Sequence, residues 1–321
     1  MSVDTFYANG RVAVLSTKLL TADKYQRIAE ANTVAEAVKV LAESGYGGGS
    51  TESGDYEAML RAELDSVANL LRELASDDNC ARYFLAKYDY LNAKVLMKCK
   101  YMRTDGVQYC FDCASVAPEE MKKALNADDY EGFTPQMRQA LVHIDELFAD
   151  GDRGPRAVDV TLDKALFAEM ESCAKRSKFS RLACYYEMEA DCVNLTTLFR
   201  SKKAGFSKQA YEKMVVHGGT VKAEDLSRIW DADAEKAVDF VCGDFLKKLV
   251  RLLAEDAFKA ENFVNSSKIA YLSDNPDATT IAPLLAYYVA KIEEIDKVRF
   301  ALICIKNDVD KETIKERLKN A

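Results

Sequence analysis

The run Gly45-Tyr46-Gly47-Gly48-Gly49-Ser50 is the first segment of the chain that could cradle a phosphate. It lacks the Gly-Lys-Ser/Thr ending that would set an ammonium on the phosphate and a hydroxyl on magnesium, and no strand-like stretch leads into it. The run therefore reads as a connection to a helix starting at Tyr56. Cys110-Phe111-Asp112-Cys113 has the spacing of half a zinc site, but no second Cys pair or His pair exists to complete a tetrahedral set. Only His143 and His217 could act as imidazole bases, and neither lies in an HExxH arrangement. Glu187, Glu189 and Asp191 are two apart, so on a helix they fan round the cylinder instead of converging on one ion. Asp77-Asp78 is explained by capping and the helix macrodipole, and Asp150-Gly151-Asp152-Arg153 fails the calcium-loop pattern and reads as a turn. The residues thus predict no catalytic set, no cofactor and no metal.

Two other groups of polar residues stand out. Arg11, Lys94, Asp191 with Asn194, and Glu294 with Arg299 lie in or beside the apolar stripes of long helices. They belong either to solvated faces or to an inward-facing set whose burial requires partners. Lys18, Arg200, Lys202, Lys203 and Lys306 gather where those helices end, and are the candidates for contacting a partner.

The elements that must position these residues are helices. Fourteen glycines and five prolines in 321 residues are about half the usual share, too few turn residues for a sandwich, barrel or α/β sheet. Leu246, Leu249, Val250, Leu253 and Ala257 fall on one helical stripe; Tyr185, Met188, Cys192, Leu195 and Phe199 make another. Ile281, Leu284, Tyr288, Ile295, Val298, Leu302 and Ile305 keep heptad spacing, with Lys291 in a seam position. The spacing predicts long helices over Tyr56 to Ala75, Ala81 to Met102, Asp159 to Arg176, Phe179 to Lys202, Asp244 to Lys259 and Ile281 to Lys306. Smaller helices fill the intervals.

Charge and hydropathy narrow the function classes. Forty-four Lys and Arg against 52 Asp and Glu leave a formal charge of −8, the wrong sign for a nucleic-acid surface or for anionic lipid. The longest apolar runs, Pro283 to Ala290 and Phe300 to Ile305, fall far short of the ~18 residues of a membrane span. No signal peptide is readable at the start, and nine cysteines scattered through helical sequence suit a reducing compartment. A soluble, cytosolic chain is expected.

A weak internal repeat organises the helices. Four times a long helix ends near basic residues and is followed by a capping position with apolar residues at +4 and at +7 or +8: Thr21 with Tyr25 and Ile28, Ala117 with Met121 and Leu125, Ser207 with Tyr211 and Met214, and Asp310 with Ile314 and Leu318. The chain divides accordingly into an N-terminal helix (1-20), unit 1 (21-116), unit 2 (117-206) and unit 3 with a small C-terminal helix (207-321). Each unit has two long apolar faces that only neighbours can bury, which lets the chain wind into a pseudo-threefold arrangement of helix pairs. An open helical-repeat scaffold shares the stripes but would not close, and an all-α enzyme would need converging carboxylates or histidines that the chain does not offer.

The chain resembles the C-subunit family of the prokaryotic V/A-type rotary ATPases, related to the d-subunit family of the eukaryotic V-ATPases. The resemblance is carried by Tyr7-Ala8-Asn9-Gly10-Arg11, Lys18-Leu19-Leu20-Thr21, Leu41 to Tyr46, Tyr90-Leu91-Asn92-Ala93-Lys94, Asp159 to Asp163, Asp191 to Leu195 with Arg200-Ser201-Lys202, and Glu294 with Val298-Arg299 and Ile305-Lys306. It implies an all-α fold of three pseudo-symmetric units forming a funnel. It also implies a non-catalytic rotor piece that joins the central-shaft subunits to the membrane proteolipid ring, at the ring's cytoplasmic end and with no span of its own.

Overall fold

A computed structural model describes residues 4–49, 55–151, 154–274 and 279–318. Ser50, Asp152 and Arg153, named above, lie outside them. Helix makes up 77% of the chain and no strand occurs among the described residues. The all-α class read from the apolar spacing is the one adopted.

The helices, in chain order, are α1 (Thr5–Ser16), α2 (Ala22–Glu30), α3 (Val34–Ala42), α4 (Tyr56–Leu74), α5 (Asp78–Met102), α6 (Pro118–Asn126), α7 (Pro135–Ala149) and α8 (Pro155–Arg176). They continue with α9 (Leu182–Lys203), α10 (Lys208–Glu212), α11 (Ala223–Asp231), α12 (Ala234–Ala237), α13 (Gly243–Glu255), α14 (Ala257–Ser273), α15 (Ala282–Lys306) and α16 (Lys311–Leu318). Pro118, Pro135 and Pro155 each sit in the first turn of their helix, where the missing N–H leaves no hydrogen bond unmade.

Side-chain caps set the element ends, and one of them departs from the apolar spacing. The small helices expected between Asp23 and Glu43 are α2 and α3, parted at Thr33, which leaves helical geometry and whose hydroxyl accepts the Glu36 N–H as an N-cap. The stripe from Asp244 to Lys259 stops at Glu255: Asp256 is extended, and its carboxylate accepts the Phe258 N–H at 2.8 Å to start α14. Periodicity continues across such breaks, since a cap interrupts the backbone without interrupting the apolar face.

The chain divides into two compact units, Met1–Ser76 with Asn265–Ala321, and Asp77–Val264. In the first, α15 packs against α1 and α4, and α16 lies on α2 with Ile314 and Leu318 buried. In the second, α5 packs on α8, α8 on α7 and α9, and α9 on α13. Its apolar interior has two centres, one around Met97, Met121, Leu141 and Leu162 and one around Leu195, Tyr211, Leu226 and Leu249.

Asp77 fastens the start of α5 to the segment after α8. Its carboxylate accepts from Asn79 N at 3.1 Å, Ser177 Oγ at 2.6 Å and Lys178 N at 2.7 Å. Burial pushes its pKa up, but the donors from Ser177, Lys178 and Asn79 outweigh it and hold the carboxyl below its ordinary value. A depressed carboxyl stabilises the fold above its unfolded pKa of about 3.9 and loses that contribution as pH falls through the lower folded value. Below about pH 4 the melting temperature should therefore fall more steeply for the native chain than for Asp77→Asn, a difference that thermal denaturation across a pH series measures.

Candidate functional site

The buried polar residues of the long helices act as latches on the loops that return to them. On α5, Asp89 Oδ1 accepts the N–H groups of Ser115 at 2.7 Å and Val116 at 3.2 Å. One turn along the same face, Asn92 exchanges both hydrogen bonds with Phe111, accepting its N–H at 2.7 Å and donating to its carbonyl at 2.9 Å. On α9 the arrangement recurs: Asp191 accepts from Thr220 N at 3.0 Å, Thr220 Oγ1 at 2.6 Å and Val221 N at 2.9 Å. Asn194 then exchanges both hydrogen bonds with Val216 at 2.9 Å each. All four side chains are buried. A helix Asp-x-x-Asn thus satisfies the backbone of a loop that has no ladder of its own.

A third long helix does this with a longer acid. Glu294 of α15 accepts the Leu20 N–H, the Tyr46 hydroxyl at 2.6 Å and the Lys291 ammonium at 2.8 Å. Val116, Val221 and Leu20 each stand one residue before the N-cap of the next small helix, at Ala117, Lys222 and Thr21. The three carboxylates therefore grip the same point of three helix starts. The apolar pattern at +4 and at +7 or +8 seen at Thr21 and Ala117 recurs at Lys222 with Leu226 and Ile229, both buried. Ser207 caps α10 separately, through Ala210 N.

Other positions singled out in the sequence have local explanations. Tyr46 is buried with the Lys291 ammonium 4.0 Å from its ring centre, and Gly47 and Gly48 turn with φ of 60° and 66°. Burial and then the Glu294 charge push the Tyr46 hydroxyl far above its usual pKa, so it remains a donor. Lys291, in the heptad seam, also pairs with Glu63 at 3.2 Å. Cys110 and Cys113 are buried in the loop that Asn92 and Asp89 hold. His143 faces Glu146 at 3.5 Å on an exposed surface, and the His217 carbonyl accepts from Tyr186 at 2.6 Å.

The remaining polar candidates are not buried. Arg11 pairs with Glu73 of α4, Lys94 with Asp163 of α8, and Arg299 with Asp296 at 3.0 Å and Glu57 at 3.4 Å. Such partly exposed pairs contribute little, because solvent and salt screen them. The inward set therefore separates into buried latches (Asp191, Asn194, Glu294) and partly exposed ion pairs (Arg11, Lys94, Arg299). Among the basic helix ends, Lys18 follows α1 and Lys306 closes α15 with its ammonium 5.8 Å from the Tyr56 ring centre. Arg200, Lys202 and Lys203 close α9 together, beside a cavity of about 420 Å³.

Spacing alone did not reveal the Arg82 network. Arg82 bridges Asp89 and Glu169 of α8, and Glu169 also accepts from Tyr90 at 2.7 Å and Thr134 at 2.6 Å. Gly218 and Gly219 are also required here. Gly218 has φ of +95°, and a Cβ on Gly219 would stand 2.2 Å from Asp191 Oδ1. The readable signal is the repetition of Asp89-x-x-Asn92 in Asp191-x-x-Asn194.

No group of three or more His, Cys, Asp or Glu able to hold a metal occurs among the described residues, and no helix there is long and apolar enough to cross a membrane. The family model of the ATP synthase (C/AC39) subunit matches residues 8–317. The chain belongs to that family. As a C/AC39 subunit it is a non-catalytic subunit of a rotary ATPase. It is similar to the C subunit of the A-type ATP synthase of Thermococcus kodakarensis, 24% identical over 97% of this chain and 89% of the relative. The same subunit of Methanosarcina acetivorans is 25% identical over 97% and 92%. The C subunit of the V-type ATP synthase of Thermus thermophilus is 26% identical over 66% and 67%. A C/AC39 match of this extent decides against an unrelated helical-repeat scaffold, and the buried acids of this C/AC39 protein are structural latches engaged with backbone and cations.

Proposed function

We propose that the chain is the coupling piece of the rotor in a V/A-type ATPase. It sits on the cytoplasmic end of the proteolipid ring, peripheral to the membrane, and receives the central shaft in a funnel of three pseudo-symmetric helical units (21-116, 117-206 and 207-321). The observation that carries this reading is the family match across residues 8–317, which takes in both compact units. The latch at three helix starts supports a threefold relationship between the units, because one carboxylate does the same task at Leu20, Val116 and Val221. Torque would pass by shape and contact. Latched loops suit that role, since a loop that carries load must keep its backbone hydrogen bonds inside the protein.

The test is reconstitution with the shaft subunits and the detergent-solubilised ring of the same complex. The chain should run with both on gel filtration, and should leave membranes on a low-salt wash without detergent. Elution of the chain alone from both mixtures would overturn the proposal.

A further inference from the structure

We infer that the cleft at the C-terminal end of α9 seats an acidic, apolar-faced helix of a neighbouring subunit, an inference that rests on the rotary-ATPase reading above. The cleft holds about 420 Å³. Ile229 and Leu253 form its buried floor, and Ala234 and Ala254 are exposed along its sides. Alanine methyls on two facing elements leave a trough in which the larger apolar side chains of a docked helix fit at i and i+4 spacing.

Charge selects the occupant. Arg200, Lys202 and Lys203 stand on the rim and are exposed. The Lys202 ammonium donates to the Ala232 carbonyl at 3.1 Å, whereas Arg200 and Lys203 make no ion pair among the described residues. Two acids also line the cleft. Asp233 is engaged, capping Lys236 N at 2.9 Å and facing the Lys236 ammonium at 3.2 Å, and Glu255 ends α13. The rim is therefore net positive over an apolar floor, complementary to a helix with carboxylates along one edge of an apolar face. The α9 macrodipole explains cations in its last turn. It does not explain an apolar trough beside them.

The test uses the full chain with the assembled shaft and ring of its complex, comparing Arg200→Glu with Lys203→Glu, Ala234→Trp, and Ala254→Trp. All four positions are exposed, so the folds should survive, and melting curves check this. Affinity should fall by about tenfold or more in the charge-reversed pair and in each tryptophan variant, and native affinity should fall as salt rises. Equal affinity in the tryptophan variants overturns the cleft as the seat. Native affinity in the charge-reversed pair overturns its acidic occupant. Should the native chain bind neither shaft nor ring, the rotary reading itself fails, and that result is distinct from either.

Discussion

Glu294→Ala is expected to lower the melting temperature by about 10 °C. The Glu294 carboxylate is 3% exposed and receives the Leu20 N–H, the Tyr46 hydroxyl and the Lys291 ammonium. Removing it strands two buried donors and leaves Lys291, itself 8% exposed, with Glu63 alone. Losing one partner of a buried charge costs about 3–5 kcal/mol, and a chain of this size shifts by roughly 2–4 °C per kcal/mol. Glu294→Gln keeps the shape and one of the two acceptor oxygens, its NH2 facing a donor in place of the other, and should lose somewhat less. Equal losses in Ala and Gln would show that shape and a single remaining acceptor contribute nothing to the latch. A melting temperature unchanged in both would remove the latch from the account of stability.

Arg82→Met should be comparably damaging, for the opposite reason. It leaves two buried acids, Asp89 and Glu169, facing each other across α5 and α8 without the cation between them. The expected loss is again about 3–5 kcal/mol. Because Asp89 also holds Ser115 and Val116, amide exchange at those two residues should accelerate along with the fall in melting temperature. Adding Glu169→Gln to Arg82→Met should recover part of the loss, since the second substitution removes one of the two facing charges. Additive losses in the double variant would refute the triad.

A helix that buries one stripe, as α13 does with Leu246, Leu249, Val250 and Leu253, was legible in the sequence because that stripe survives any detail of packing, whereas α14 beyond Lys259 was not foreseen. The ends of the elements were less legible. Asp256 breaks a continuous stripe with a side-chain cap, a signal of one residue inside many. The polar site was legible only in its membership. Asp191, Asn194 and Glu294 stood out as polar residues within apolar faces, but their partners are backbone N–H groups of loops 20 or more residues away, or at the other end of the chain. Spacing has no information on where a loop returns. Arg82 escaped notice because a cation on a long helix looks like a solvated one until the acids of a second helix are placed beside it.

The discontinuous unit built from Met1–Ser76 and Asn265–Ala321 has a consequence for biosynthesis. Leu20, Tyr46 and α4 receive their partners only when α15 leaves the ribosome, after all of Asp77–Val264 has been made. At about 5–20 residues per second, that is a wait on the order of ten to forty seconds. Through that interval the nascent N-terminal segment carries Ile28, Leu41, Leu60 and Leu71, side chains fully shielded in the finished protein, without the helix that shields them. The intervening unit can meanwhile complete its own interior. Trigger-type chaperones should therefore crosslink to residues 20–74 of stalled chains that end before position 282, and release them once α15 has emerged.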